Sequence, residues 1–223
     1  MNTPENLKYI HSQLPETVKL VAVSKTKSIH EIMEAYQAGQ RLFGENKVQE
    51  LTAKWQELPK DIEWHFIGHL QSNKVKQIVP FISLIHGVDS FKLLSAINRE
   101  AEKFNRIVPI LLEFRVADEE SKFGLSIQDA EELLSGPDIA AMNNISIRGV
   151  MGMATFTNDA KKIESDFKEL HTIFCVLRDK YFINKDQFCE ISMGMSDDYQ
   201  IAISEGSTIV RIGSKIFGTR INV

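Results

Sequence analysis

The stretch Leu20-Val21-Ala22-Val23-Ser24-Lys25-Thr26-Lys27 runs four apolar residues straight into a serine and a lysine, with turn-prone polar residues behind them. It reads as a buried strand that ends in a lysine. An ammonium at the carboxyl end of a core strand is partly desolvated, so its amine can be freed at neutral pH to attack a carbonyl. The plainer alternative is a lysine that snorkels out of the strand mouth into water. Lys27 would lower the proton affinity of Lys25 if it faced the same way, and would not if it turned to solvent.

Outward from this stretch the pattern alternates. Upstream, Thr3-Pro4-Glu5 has a cap, a proline at the first helical position and an early acid, and opens a helix that ends near Leu14-Pro15. Downstream, Ser28 caps a helix over 29–38 that Gly39 closes, and a strand over 41–46 and a helix over 47–58 lead to Pro59. Strands over 63–68, 83–88 and 108–116 are then separated by helices over 73–79 and 90–104. Residues 119–124, within the loop that follows, read as a mobile lip. Helices over 126–134, 159–180 and 197–204 separate the remaining strands, over 145–151, 187–193 and 208–213. Strands alternating with helices imply right-handed crossovers and a parallel sheet, and about eight repeats close a barrel. The expected fold is therefore α/β, a single (β/α)8 TIM-type barrel over residues 1–223 with an extra N-terminal helix. A dinucleotide-binding sheet would carry G-x-G-x-x-G after the first strand, where Val23-Ser24-Lys25-Thr26-Lys27 stands instead.

Composition narrows the function. A net charge of -4, from 26 basic against 30 acidic residues, argues against a nucleic-acid footprint and against a basic membrane-binding face. No apolar run reaches membrane-spanning length, and the start Met1-Asn2-Thr3-Pro4-Glu5 is unlike a secretory signal, so a cytoplasmic protein is expected. A monomer is a separate expectation. Cys175 and Cys189 are too few for a disulfide framework or a thiolate metal site and read as buried thiols. His65 and His69 are four apart but span a strand end, which disfavours a metal pair. His11, His30, His86 and His171 read as surface or packing residues.

In such a barrel the carboxyl ends of the strands share one face, whose loops build the site. The strand tips there are Lys25, Asn46, Gly68-His69, the run Ser192 to Ser196, and Arg211-Ile212-Gly213-Ser214. The segments after the seventh and eighth strands offer small residues, free amides and hydroxyls where barrels of this kind hold phosphate, although Ser196-Asp197 is also an ordinary helix cap. Arg211, inside an apolar strand, needs an acceptor for a permanent charge. A lysine able to form a Schiff base, an arginine able to pair with a ring nitrogen and a phosphate cradle together describe pyridoxal phosphate.

The motifs Val21 to Thr26, Phe43-Gly44-Glu45-Asn46, Trp64-His65-Phe66-Ile67-Gly68 with Leu70 to Lys74, Ser192 to Asp198, and Gly206-Ser207-Thr208 through Phe217-Gly218 stand in an order that resembles the pyridoxal phosphate homeostasis proteins. The resemblance implies a fold type III barrel like the N-terminal domain of alanine racemase, with pyridoxal 5′-phosphate bound covalently as a Schiff base on Lys25. It implies that Arg211 faces the pyridine nitrogen, that Ser192, Gly213 and Ser214 help hold the phosphate, and that Asn46 and His65 lie beside the ring. Ser214 stands where many relatives carry threonine, which keeps the hydroxyl. The implied role is a carrier or regulator of the cofactor with little or no turnover, with cofactor-dependent apoenzymes as recipients. The alternative is an amino-acid racemase, and of the tyrosines only Tyr199 falls near a strand mouth to serve as a second base.

Overall fold

Asn2 rather than Thr3 caps the first helix. Its side chain accepts from the Glu5 N–H, and Glu5 in turn accepts from the Asn2 N–H, so Thr3 and Pro4 are already helical. In the computed structural model, which describes residues 2–117 and 123–218, this helix is α1 (Thr3–Gln13). The strands are β1 (Lys19–Val23), β2 (Leu42–Glu45), β3 (Glu63–Phe66), β4 (Leu84–Val88), β5 (Val108–Glu113), β6 (Ile145–Met151), β7 (Glu190–Ser192) and β8 (Ile209–Ile212). Between and after them run α2 (Ile29–Gln37), α3 (Val48–Glu57), α4 (Val75–Ile78), α5 (Phe91–Glu102), α6 (Ile127–Ser135), α7 (Ala160–Tyr181), α8 (Tyr199–Ser204) and α9 (Ser214–Phe217). All strands pair in parallel, in chain order, and β8 closes on β1. The expected eight-stranded barrel is the observed one.

Several strands are shorter than the sequence pattern suggests, and the causes are local. Beyond Glu113 the chain pairs with its own returning loop, Phe114 bridging Leu125, so β5 stops there. Before β7 the chain is still turning, with the Lys185 N–H on the Phe182 carbonyl and the Phe188 N–H on the Lys185 carbonyl. The expected helix over 73–79 is a 3-10 turn (Ser72–Lys74) followed by α4. Most of the expected lip, residues 119–122, lies outside the described residues.

The sheet separates two apolar layers. Val21, Leu84, Leu111, Met151 and Ile209 meet around the axis, while Ala22, Phe43, Trp64, Ile85 and Val210 pack outward against helix residues such as Ile32, Leu51 and Phe167. Strands buried on both faces explain the near-continuous apolar runs in the sequence. At Gly149 the pairing of β6 with β5 shifts register, and a Cβ there would come 1.8 Å from the Glu190 carbonyl oxygen, so only glycine fits. The thiols depart from expectation: Cys175, on α7, is only half-buried against the outer apolar layer, and Cys189, just before β7, is exposed. No described helix is long and apolar enough to cross a membrane.

Candidate functional site

Lys25 is half-buried in the turn after β1, and the backbone on both sides of it is held. The Lys27 N–H closes the turn on the Ser24 carbonyl at 3.0 Å, and Thr26 takes a φ of 67°, a conformation that a β-branched residue adopts only under constraint. The constraint comes from α3 and β2. Lys54 Nζ donates to the Ser24 carbonyl at 2.8 Å and to Glu45 Oε1 and Glu50 Oε1 at 2.7 Å each. Ser24 Oγ donates to Glu45 Oε1 at 2.6 Å, and the Thr26 N–H donates to Glu50 Oε1 at 2.6 Å. Burial pushes the Glu45 carboxyl up from its ordinary pKa, against the pull of Lys54 and Ser24. Lys27 is turned away, donating to Glu31 and to the Phe217 carbonyl, so it is engaged elsewhere.

Lys25 and Gly213 end neighbouring strands. Ala22 of β1 lies opposite Ile212 of β8, and a Cβ on Gly213 would stand 3.1 Å from the Val23 carbonyl oxygen. The Gly213 N–H donates to Ser196 Oγ at 3.3 Å, which ties the loop after β7 to the start of α9. Gly194, at φ 92°, turns the chain out of the sheet where a side chain would strike Ala202. Ser196, Gly213 and the exposed Ser214 thus form one small hydroxyl and amide cluster at the barrel rim. Asn46 is half-buried at the end of β2, and Gly68 is needed beside it, since a Cβ there would lie 2.6 Å from the Asn46 carbonyl oxygen.

Ser192 and His65 are placed differently from the expectation. Ser192 is fully buried, with no face toward the rim, and its Oγ accepts from Arg211 Nη1 at 2.6 Å. Arg211 Nη2 donates to the Gly152 carbonyl at 3.1 Å. Ser192 Oγ lies 2.9 Å from His86 Nδ1, and His86 Nε2 lies 3.0 Å from His65 Nδ1. His65 lines the cavity at the amino-terminal mouth with Lys19 and Glu190, the opposite end from Lys25. A hydrogen-bonded chain therefore crosses the barrel interior from Arg211 to His65. Arginine can only donate, so the arrangement that satisfies every link has Ser192 donating to His86 and His86 donating to His65. Burial, and then the Lys19 charge, lowers the His65 pKa to about 3. Burial, with His65 and Arg211 beside it, takes His86 well below its ordinary value. Both rings are neutral at pH 7.

Arg211 is 5% exposed and makes no ion pair among the described residues. Burial lowers its pKa to about 10, opposed by Asp198 and Glu113, so it keeps its proton. A buried guanidinium that spends N–H groups on one hydroxyl and one carbonyl, with no carboxylate bound, is suited to a neutral acceptor at the mouth.

Three residues take places that the sequence does not assign them. His86 is neither a surface nor a simple packing residue, since both its ring nitrogens are engaged in the interior. Ser196, not Ser192, reaches the rim cluster. Glu113, a lone acid at the end of the apolar run Val108 to Leu112, is buried beneath a cavity of about 480 Å³ at the carboxyl end of the barrel. That isolated charge in an apolar strand was the available signal. Tyr199 is buried, with the Lys215 ammonium 5.0 Å from its ring centre.

The chain is similar to known proteins along nearly its whole length. The family described as alanine racemase, N-terminal domain, matches residues 2–221. A pyridoxal phosphate homeostasis protein of Pasteurella multocida is 40% identical over 210 residues, covering 92% of this chain and 88% of the relative. One from Haemophilus influenzae is 37% identical over 233 residues, covering 99% of this chain and 97% of the relative. Among solved structures, PipY of Synechococcus elongatus with PLP bound superposes with a TM-score of 0.87 at 36% identity, covering 97% of this chain and 100% of that one.

Proposed function

Since this chain belongs to the pyridoxal phosphate homeostasis proteins, we propose that it binds pyridoxal 5′-phosphate at the carboxyl end of the barrel, with the aldehyde held as a Schiff base on Lys25. The observation that carries this reading is Arg211: a buried guanidinium, without an ion pair among the described residues, on the strand next to the Lys25 strand. The residues present fit the cofactor. Lys25 supplies the amine, Arg211 an N–H for the ring nitrogen, and Ser196, Gly213 and Ser214 hydroxyl and amide donors for the phosphate. Asn46 borders the ring from the end of β2. Ser192 acts from behind, by holding Arg211, and His65 acts through His86 on Ser192.

When bound, the cofactor supplies an electrophilic carbonyl and an electron-withdrawing ring. Arg211 keeps its own proton, so the ring nitrogen stays neutral and the ring is a weaker electron sink than one paired with a carboxylate. Tyr199, buried under Lys215, is a poor second base. These features support a carrier that holds a reactive aldehyde and hands it to cofactor-dependent apoenzymes, with little turnover of its own.

The test is spectroscopic. Protein mixed with pyridoxal 5′-phosphate is expected to develop a near-visible absorbance band that borohydride abolishes and that Lys25→Ala lacks. An unchanged, borohydride-sensitive band in Lys25→Ala would remove Lys25 from the reading. Rapid deuterium exchange at Cα of L-alanine would replace the carrier with a racemase.

A further inference from the structure

The cavity of about 480 Å³ between the ends of β5, β6 and β7 has no part in the reading above, since neither Lys25 nor Gly213 and Ser214 lines it. Its size suits a small molecule, and much of its wall is apolar, including Phe114, Val116, Met153, Met195 and Ile201. Among the described residues its charged lining is one-sided: Glu113, Asp197 and Asp198 against Arg115. Glu113 is only 8% exposed, yet its carboxyl accepts no hydrogen bond and joins no ion pair among the described residues. A buried carboxyl without a partner is costly to ionise, and a cation arriving in the cavity would remove that cost.

We propose that this cavity binds a small primary amine with an apolar body, the ammonium on Glu113 and the body along Phe114, Val116 and Met153. A carboxylate ligand would meet the acidic lining, and a neutral alcohol would leave Glu113 without its counter-charge. Burial raises the Glu113 pKa to about 7, Asp89 at the end of β4 adds to this, and Arg211 on β8 opposes it. His69 stands 3.7 Å from Asp89, and Arg115, Asp197 and Asp198 complete the charged surroundings. An ammonium favours the ionised carboxyl, so binding tightens as pH rises through about 7 and releases a proton from Glu113. The groups that would hold the amine, Glu113, Phe114, Val116 and Met153, are not those assigned to the cofactor, and the two sites meet only through the charge of Arg211 on Glu113.

Calorimetric titration of the full chain with n-hexylamine, hexanol and hexanoate at pH 8 tests it. Hexylamine is expected to bind best, and Glu113→Gln to weaken it about tenfold or more, as for loss of a charged hydrogen bond. Methyl resonances of Val116 and Met153 are expected to shift with hexylamine in the wild type. Lys25→Ala is expected to bind hexylamine as the wild type does. Equal binding by Glu113→Gln, preference for hexanoate, or unmoved Val116 and Met153 methyls would overturn the proposal. So would loss of binding in Lys25→Ala alone, which would assign the amine to reaction at the cofactor site and leave the cofactor reading intact.

Discussion

Lys54 Nζ lies 2.7 Å from Glu45 Oε1 in the wall behind Lys25, with both side chains almost wholly buried. The pair is part of the frame that holds the Ser24 carbonyl and the Thr26 N–H, and so the turn from which Lys25 projects.

Removing one partner should therefore be severe. Lys54→Met leaves the Glu45 carboxylate buried and uncompensated, a loss of about 3–5 kcal/mol in urea unfolding at pH 7. Lys54→Met combined with Glu45→Gln is expected to recover much of it, since no charge is then stranded. Recovery absent from the double variant would show that the loss is one of packing.

Arg211→Gln keeps a hydrogen-bond donor but removes the charge and the reach to Ser192. Loss of charged hydrogen bonds of this kind costs about 1.5–3 kcal/mol each, so affinity for pyridoxal 5′-phosphate should fall by about tenfold to a hundredfold. Equilibrium dialysis of the variant against the wild type measures this directly. An unchanged affinity would place the ring nitrogen elsewhere.

The interior histidines make a pH prediction. His65 has a folded pKa of about 3 against an ordinary 6.5, so between those values the unfolded chain binds a proton that the folded one does not. Stability from this group is complete above about pH 6.5 and declines as pH falls, by about 2 kcal/mol at pH 5. His86 acts in the same direction. Nitrogen-15 spectra are expected to show His65 neutral down to pH 5, carrying its hydrogen on Nε2.

Glu113 has the opposite sign. Its folded pKa of about 7 lies above the ordinary 4.5, so its favourable contribution is complete below about 4.5 and lost as pH rises through about 7. At pH 8 the wild type keeps a buried carboxylate, without an ion pair among the described residues, worth about 3 kcal/mol of instability. Glu113→Gln should therefore melt roughly 5–10 °C higher than wild type at pH 8 and at nearly the same temperature at pH 4.5. A variant less stable at pH 8 would mean that Glu113 has a stabilising partner.

The barrel was legible because its signals are local. Ser28 with Glu31, and Ser126 with Asp129, form the reciprocal caps that open α2 and α6 just after strand-like runs. The alternation of such units leaves few topologies. Lys25 and Gly213-Ser214 were legible for the same reason: each follows the last apolar residue of a strand, so position in the chain gives position at the mouth.

What faces the axis was not legible. Strands apolar on both faces carry no alternation to say which way His86 or Glu113 points. The family resemblance sets His65 beside the cofactor, whereas strand tilt and stagger in a closed barrel put its side chain toward the amino-terminal mouth. Ser192 and Ser196 look equivalent in sequence. The turn at Gly194 separates them, one inside under Arg211 and one at the rim against Gly213.

By itself, then, the order of residues determined the strands, their number, their common direction and the lysine at the mouth, since each depends on neighbours within a few positions. Only the tertiary structure decided that Arg211 is backed by Ser192, His86 and His65, that Lys54 frames the lysine turn, and that Glu113 stands buried without an ion pair among the described residues. Those relationships join residues many positions apart, and they exist only once closure of β8 onto β1 brings opposite strands within hydrogen-bonding distance across a shared axis.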